Sequence, residues 1–185
     1  DEDITNVTVG AMNNASVCGA LAPGAGSVAF RYSNYTGSVA GASGVQGSVI
    51  PFSLSMTTCG GNFTNFFQIY VDWNQDGDFA DVGEQAYSQA AGVNGNQTAV
   101  GNFTVPATAL VGTTRMRVIN IEAAASTTNY ASAAYTYGET EDYCFTVTAG
   151  ASCAGTPNAG TALISSATGC PSVEFNLSAS GLTFG

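Results

Sequence analysis

The sequence predicts an all-β fold, an antiparallel β-sandwich of jelly-roll or Ig-like kind with a partial second β-module. Three observations carry this. Apolar residues alternate with a period of two in several short runs. Clusters of Gly, Asn, Ser and Pro separate those runs. No stretch shows the apolar stripe of an amphipathic helix, which recurs every 3.6 residues. A closed barrel is the alternative that the same pattern allows.

Taken in order, residues 4–9 are β-rich and stop at Gly10. Residues 12–16 read as a turn containing Asn13 and Asn14. Residues 28–35 alternate loosely, and residues 41–47 form a small-residue loop. The clearest alternation lies in residues 48–57, with Ile50, Phe52, Leu54 and Met56 on one face and Ser53 and Ser55 on the other. Pro51 places that strand at a sheet edge or at a strand start, because proline has no N–H for a ladder. Residues 66–73 are apolar on both faces, which suits a central strand. Residues 84–89 make a short strand, and residues 96–105 alternate until Pro106 ends them. In residues 114–122, Met116 and Val118 share one face while Ile119 and Ile121 share the other. A small-residue loop over residues 123–134 precedes a last strand that presents Tyr143, Phe145 and Val147 on one face.

Composition changes after Val147, and residues 148–152 read as a linker. The expected division is 1–149 for the main sandwich and 150–185 for the partial module, in which Val173, Phe175 and Leu177 alternate as a strand. Thirty-six residues are too few to enclose a sandwich core of their own. Further chain or a neighbouring subunit is expected to complete that sheet, in the second case by donating a strand to its exposed edge.

The 185 residues are 45% hydrophobic, enough for a proper core, and only 9% charged. Three arginines, with no lysine or histidine, leave a net charge of −10. That balance argues against nucleic acid, whose phosphates need basic patches, and against anionic lipid. No apolar run reaches the length of a membrane span. The absence of His and Lys removes most general bases and activated nucleophiles, so the expected role is not catalytic. Cys18, Cys59, Cys144, Cys153 and Cys170 form neither C-x-x-C pairs nor clusters with histidine, so disulfides of a secreted protein are the expected state. Cys153 and Cys170 flank the lead-in of the second module and are paired with each other. Cys18 and Cys59 then pair in the first domain, and Cys144 is free or bonded to chain upstream.

Eleven of the thirteen acids fall in three clusters, and the richest is the stretch from Asp72 to Glu84. Oxygen ligands recur there at alternate positions, Asp72, Asn74, Asp76 and Asp78, with Gly77 after the third and with Asp81 and Glu84 beyond. Five carboxylates in thirteen residues repel one another unless a cation gathers them. Oxygen donors without Cys or His select Ca²⁺, bound through Asp72, Asn74, Asp76 and Asp78 and closed by Asp81 or Glu84. The D-x-N-x-D-G start follows the EF-hand loop, but the terminal glutamate arrives one residue late and a strand, not a helix, leads in. A solvated acidic turn without metal is the plainer alternative. Glu139, Glu141 and Asp142 either add carboxylates to this loop or pair with Arg115 and Arg117; alternation sends Glu141 and Asp142 to opposite faces. Tyr130, Tyr135 and Tyr137 either pack locally or stack on glycans.

Four motifs, Tyr-Val-Asp-Trp-Asn-Gln-Asp-Gly-Asp-Phe from Tyr70, Val-Pro-Ala from Val105, Gly-Thr-Thr-Arg-Met-Arg-Val from Gly112 and Tyr-Gly-Glu-Thr-Glu-Asp-Tyr from Tyr137, resemble in order those of the GEVED domain over about residues 4–148. The eponymous motif reads Gly-Glu-Thr-Glu-Asp here, a change that keeps the acids. The resemblance implies a secreted or cell-surface bacterial protein and an accessory module, adhesive or spacing. It also implies an N-terminal cysteine-bearing segment upstream of this chain. Residues 150–185 resemble the start of an Ig-like repeat. The expected partners are other subunits or modules of the same surface protein or filament, with glycans a further possibility. The alternative function is a carbohydrate- or substrate-binding accessory domain of a secreted hydrolase.

Overall fold

The computed structural model describes residues 2–150 and the backbone of residues 161–164 and 177–180. The chain divides into two units, Asp1–Gly150 and Ala151–Gly185. In the first, eleven strands run β1 (Glu2–Val9), β2 (Met12–Ala15), β3 (Tyr32–Asn34), β4 (Ala42–Val45), β5 (Val49–Thr58), β6 (Thr64–Val71), β7 (Gln85–Ser88), β8 (Val93–Asn94), β9 (Gln97–Thr104), β10 (Gly112–Glu122) and β11 (Gly138–Thr148). No helix occurs among the described residues. In the second unit, β12 (Thr161–Ile164) pairs antiparallel with β13 (Leu177–Ser180). The expected strand from Val173 to Leu177 lies outside the described residues except for Leu177.

A four-stranded sheet of order β2-β1-β5-β9 faces a seven-stranded sheet whose main path is β3-β11-β10-β6-β7. The inward rows interdigitate in one core: Ile4, Val7, Leu54 and Met56 from the first sheet, and Phe67, Ile69, Val118, Tyr143 and Phe145 from the second. A bulge between Ile4 and Asn6 keeps both Ile4 and Val7 facing inward although they are three apart. Met116 and Val118 enter this core, as their alternation predicts. Ile119 and Ile121 enter a second cluster on the outer face of the large sheet, with Phe66, Tyr70 and Phe79. That second cluster explains why residues 66–73 are apolar on both faces.

Three segments differ from their sequence reading. Residues 12–16, read as a turn, contain β2, whose Asn13 side chain bonds Asn6 and Thr8 of the neighbouring β1 and whose Asn14 side chain bonds Tyr143 of the facing sheet. Residues 28–35 keep only the three-residue β3. Residues 41–47, read as a loop, contain β4, and both β3 and β4 run parallel to β11. The small residues there mark close approach: a Cβ at Gly41 would lie 2.6 Å from the Cys144 carbonyl oxygen. Pro51 sits near the start of β5, which is nonetheless an interior strand. Its missing N–H falls one pair past the end of β1, where the Pro51 carbonyl still accepts from Gly10 N–H.

Candidate metal centre

The acidic stretch is the connection between β6 and β7. Its ends are drawn together because Val71 N–H donates to the Glu84 carbonyl at 2.9 Å. Asp72 and Glu84 thereby stand side by side at the base. Trp73 anchors the chain into the main core against Phe103 and Phe145, and its carbonyl accepts from Leu110 N–H. The tip is a series of turns capped by side chains. Asn74 Oδ1 accepts from Asp76 N–H, Asp76 Oδ1 from Asp78 N–H, and Asp78 Oδ1 from Ala80 N–H. Gly77, at φ 99°, takes a left-handed conformation that brings its N–H to Asp72 Oδ2 at 3.2 Å.

Asp72 and Glu84 are buried, at 4% and 2% exposure. Each uses one oxygen within the loop, Asp72 Oδ2 for Gly77 N–H and Glu84 Oε2 for Asp81 N–H. The other oxygen of each, Asp72 Oδ1 and Glu84 Oε1, has no hydrogen-bond partner and is shielded from solvent. Carboxylate oxygens left so are costly. Burial pushes the Glu84 carboxyl upward, opposed by its bond from Asp81 N–H and reinforced by the charges of Asp72, Asp81 and Asp76. Asp72, Asp76 and Glu84 offer oxygens within 4.8 Å of one another, and Asp76, Asp78 and Asp81 form a second such group on the exposed side. That spacing is about twice a Ca²⁺–oxygen distance of 2.3–2.6 Å, so the donor set suits a hard cation. Asn74 turns its Nδ2 toward Asp76 and Asp81, so its amide would have to rotate to offer oxygen to an ion in either group.

The acids of β11 separate. Asp142 lies on the outer face and accepts two hydrogen bonds from Arg117, at 2.7 and 2.8 Å, and one from Tyr32 OH. Arg115 stands farther off, at 3.8 Å. Burial alone would lower the Arg117 pKa, but its bonds to Asp142 and the Asp142 charge raise it. Glu139 and Glu141 join neither the acidic loop nor the arginines. Strand β10 lies between β11 and β6, so β11 is not beside β6 and the acidic loop that follows it. Glu141 shares a row with Val118 and Ile69, three residues short of Asp72 and thus about 10 Å along the strand. Both glutamates point between the sheets. Glu139 accepts from Ile4 N–H at 2.9 Å and Ser33 OH at 2.6 Å, and Glu141 accepts from Tyr143 OH at 2.7 Å. Burial pushes Glu139 up to about 8, with the charge of Asp3 contributing. Burial, then the Glu139 charge, raises Glu141 well above the usual carboxylate range.

Asp3 is a residue whose role the sequence hides. It accepts from Gly19 N–H, while its Oδ1 is buried without a hydrogen-bond partner. It also lies close to Cys18 and Cys59, whose sulfurs are joined in a disulfide and so are not ligands. The Cys18–Cys59 bridge is the expected one, and Cys144 is free. Cys153 and Cys170 lie outside the described residues. Of the three loop tyrosines, Tyr130 and Tyr135 pack on the outer cluster, and Tyr137 is exposed.

Residues 66–146 match the family model of the GEVED domain. The matched segment runs from β6 into β11 and contains the whole acidic loop and the Gly-Glu-Thr-Glu-Asp motif. No curated protein matches the chain.

Proposed function

From a chain that carries a GEVED domain over residues 66–146, we propose a non-catalytic, calcium-stabilised structural or adhesive module of a larger secreted or surface protein. Asp72, Asp76 and Glu84 hold the ion, with Asn74, Asp78 and Asp81 as the exposed members of its ligand set. One observation carries this reading: Asp72 and Glu84 each bury a carboxylate oxygen without a hydrogen-bond partner, in residues that with Asp76 offer oxygens within 4.8 Å of one another. A cation neutralises the five clustered acids and closes the loop as one unit. The disulfide supports an oxidising, extracellular location. The lysine-free, acidic sequence, rich in Ser, Thr and Asn, fits a module that contacts like modules, not nucleic acid.

Calorimetry of the metal-loaded chain tests this. Calcium at 100 times its dissociation constant stabilises by about 2.7 kcal/mol, so EDTA should lower Tm by roughly 5–10 °C. Magnesium should restore less, because it dehydrates reluctantly and demands octahedral geometry. An identical Tm with calcium and with EDTA would count against the proposal.

A further inference from the structure

On the opposite flank from the acidic loop's chemistry, two half-exposed aromatic rings share one cavity. Phe30 and Tyr137 line a space of about 350 Å³ together with Arg31, Gly138 and the disulfide residue Cys59. That volume lies in the range of about 300–1,000 Å³ typical of small-ligand pockets. Phe30 is held there at a conformational cost. Phe30 sits at the tip of the Val28–Tyr32 turn with φ 62°, a left-handed conformation that a bulky residue rarely adopts. The residue stays 47% exposed, with the tip of its ring close against Gly19. Tyr137 is 52% exposed and precedes Gly138, at φ 124°, where a Cβ would collide with the Asn120 carbonyl.

The backbones beneath the rings are pinned. Thr140 N–H donates to the Arg31 carbonyl, and Glu122 N–H donates to the Tyr137 carbonyl. Arg31 Nη1 donates to the Thr136 carbonyl, which fixes the guanidinium beside the rings. The cavity wall thus holds two aromatic side chains on pinned backbone and a planar donor that keeps further N–H groups.

We propose that this cavity binds a neutral oligosaccharide. The C–H faces of a pyranose ring match exposed aromatic faces, and its hydroxyls match a guanidinium that donates several hydrogen bonds. A net charge of −10 disfavours an acidic glycan. The site is separate from the acidic loop and does not rest on the calcium reading. Titration calorimetry of the full chain against neutral hexasaccharides of glucan, xylan, mannan and chitin type tests it. At least one should bind in the micromolar to millimolar range, and EDTA should leave that binding intact. Phe30→Ala and Tyr137→Ala should each weaken it by about tenfold or more. Tyr137→Phe should retain it, since the ring remains. Phe30→Gly relieves the backbone strain, so it should lose binding without losing Tm. The proposal is overturned if no hexasaccharide binds at millimolar concentration, if the alanine variants bind like the parent, or if a proline-rich peptide binds there instead.

Discussion

At the scale of single residues, charge and burial conflict in the acidic loop and between the sheets, and each place makes a measurable demand. In the acidic loop the conflict involves Asp72 and Glu84. Asp76 belongs to both carboxylate groups. Asp76→Ala should therefore weaken calcium affinity by at least about tenfold, while the metal-free Tm changes little because the side chain is exposed. Calcium titration followed by calorimetry reads both. Between the sheets, Glu139 is most comfortable protonated. Its folded-state pKa of about 8 stands above its ordinary 4.5, and burial is the main cause. The folded state thus holds a proton that the unfolded chain gives up in that window. The stabilisation is complete below about pH 4.5 and is lost as pH rises toward 8. Asp3 on β1 and Glu141 on β11 add like charge, and no arginine neutralises Glu139 among the described residues. Denaturation midpoints should fall between pH 5 and pH 8. Glu139→Gln should flatten that slope, because an amide keeps the Ile4 bond and the Ser33 hydroxyl can turn to accept.

At the scale of elements, the acidic loop is not an isolated turn. Phe79, inside it, packs on Tyr70 and lies 5.0 Å beneath the Arg117 guanidinium. The Phe79 carbonyl accepts from Asn129, and Arg117 donates to the Ala131 carbonyl. The loop over residues 123–137 is therefore tied to the acidic loop through the Phe79 ring, Arg117 and the Asn129 bond to the Phe79 carbonyl. Calcium should slow amide exchange in residues 123–137 as well as in residues 72–84. Phe79→Ala should weaken the protection of residues 123–137, leaving the Asn129 bond to the residue-79 carbonyl, and cost about 3 kcal/mol of stability, the usual range for a buried phenylalanine. Equal protection of both loops in that variant would argue that the coupling runs elsewhere.

At the scale of the whole molecule, the disulfide joins chain that the sheets alone leave loosely held. Cys18 lies in the irregular stretch between β2 and β3, and Cys59 follows β5. The bridge closes a separation of 41 residues, for which the chain-entropy model gives about 4 kcal/mol. Cys18→Ser with Cys59→Ser should lower Tm by roughly 10 °C, read by thermal denaturation against the oxidised parent. The same cross-link borders the aromatic cavity, so the double variant should also weaken oligosaccharide binding.

Local pattern determined much of this protein, because side-chain direction in a strand follows from position alone. Alternation placed Met116 and Val118 opposite Ile119 and Ile121, and it sent Glu141 and Asp142 to different faces. The spacing of Asp72, Asn74, Asp76 and Asp78 around Gly77 marked the acidic loop, because turn chemistry is written over a few neighbouring residues. What only the tertiary structure decided depends on partners distant in sequence. The small residues of β4 looked like a loop until β11 passed alongside them. Asp142 and Glu139 are three residues apart, yet one meets Arg117 and the other meets Ile4 and Ser33. Phe30 and Tyr137 carry no common motif and share a cavity only because the turn before β3 is bonded to β11. Long-range pairing sets such contacts, and no local periodicity encodes which strand lies beside which.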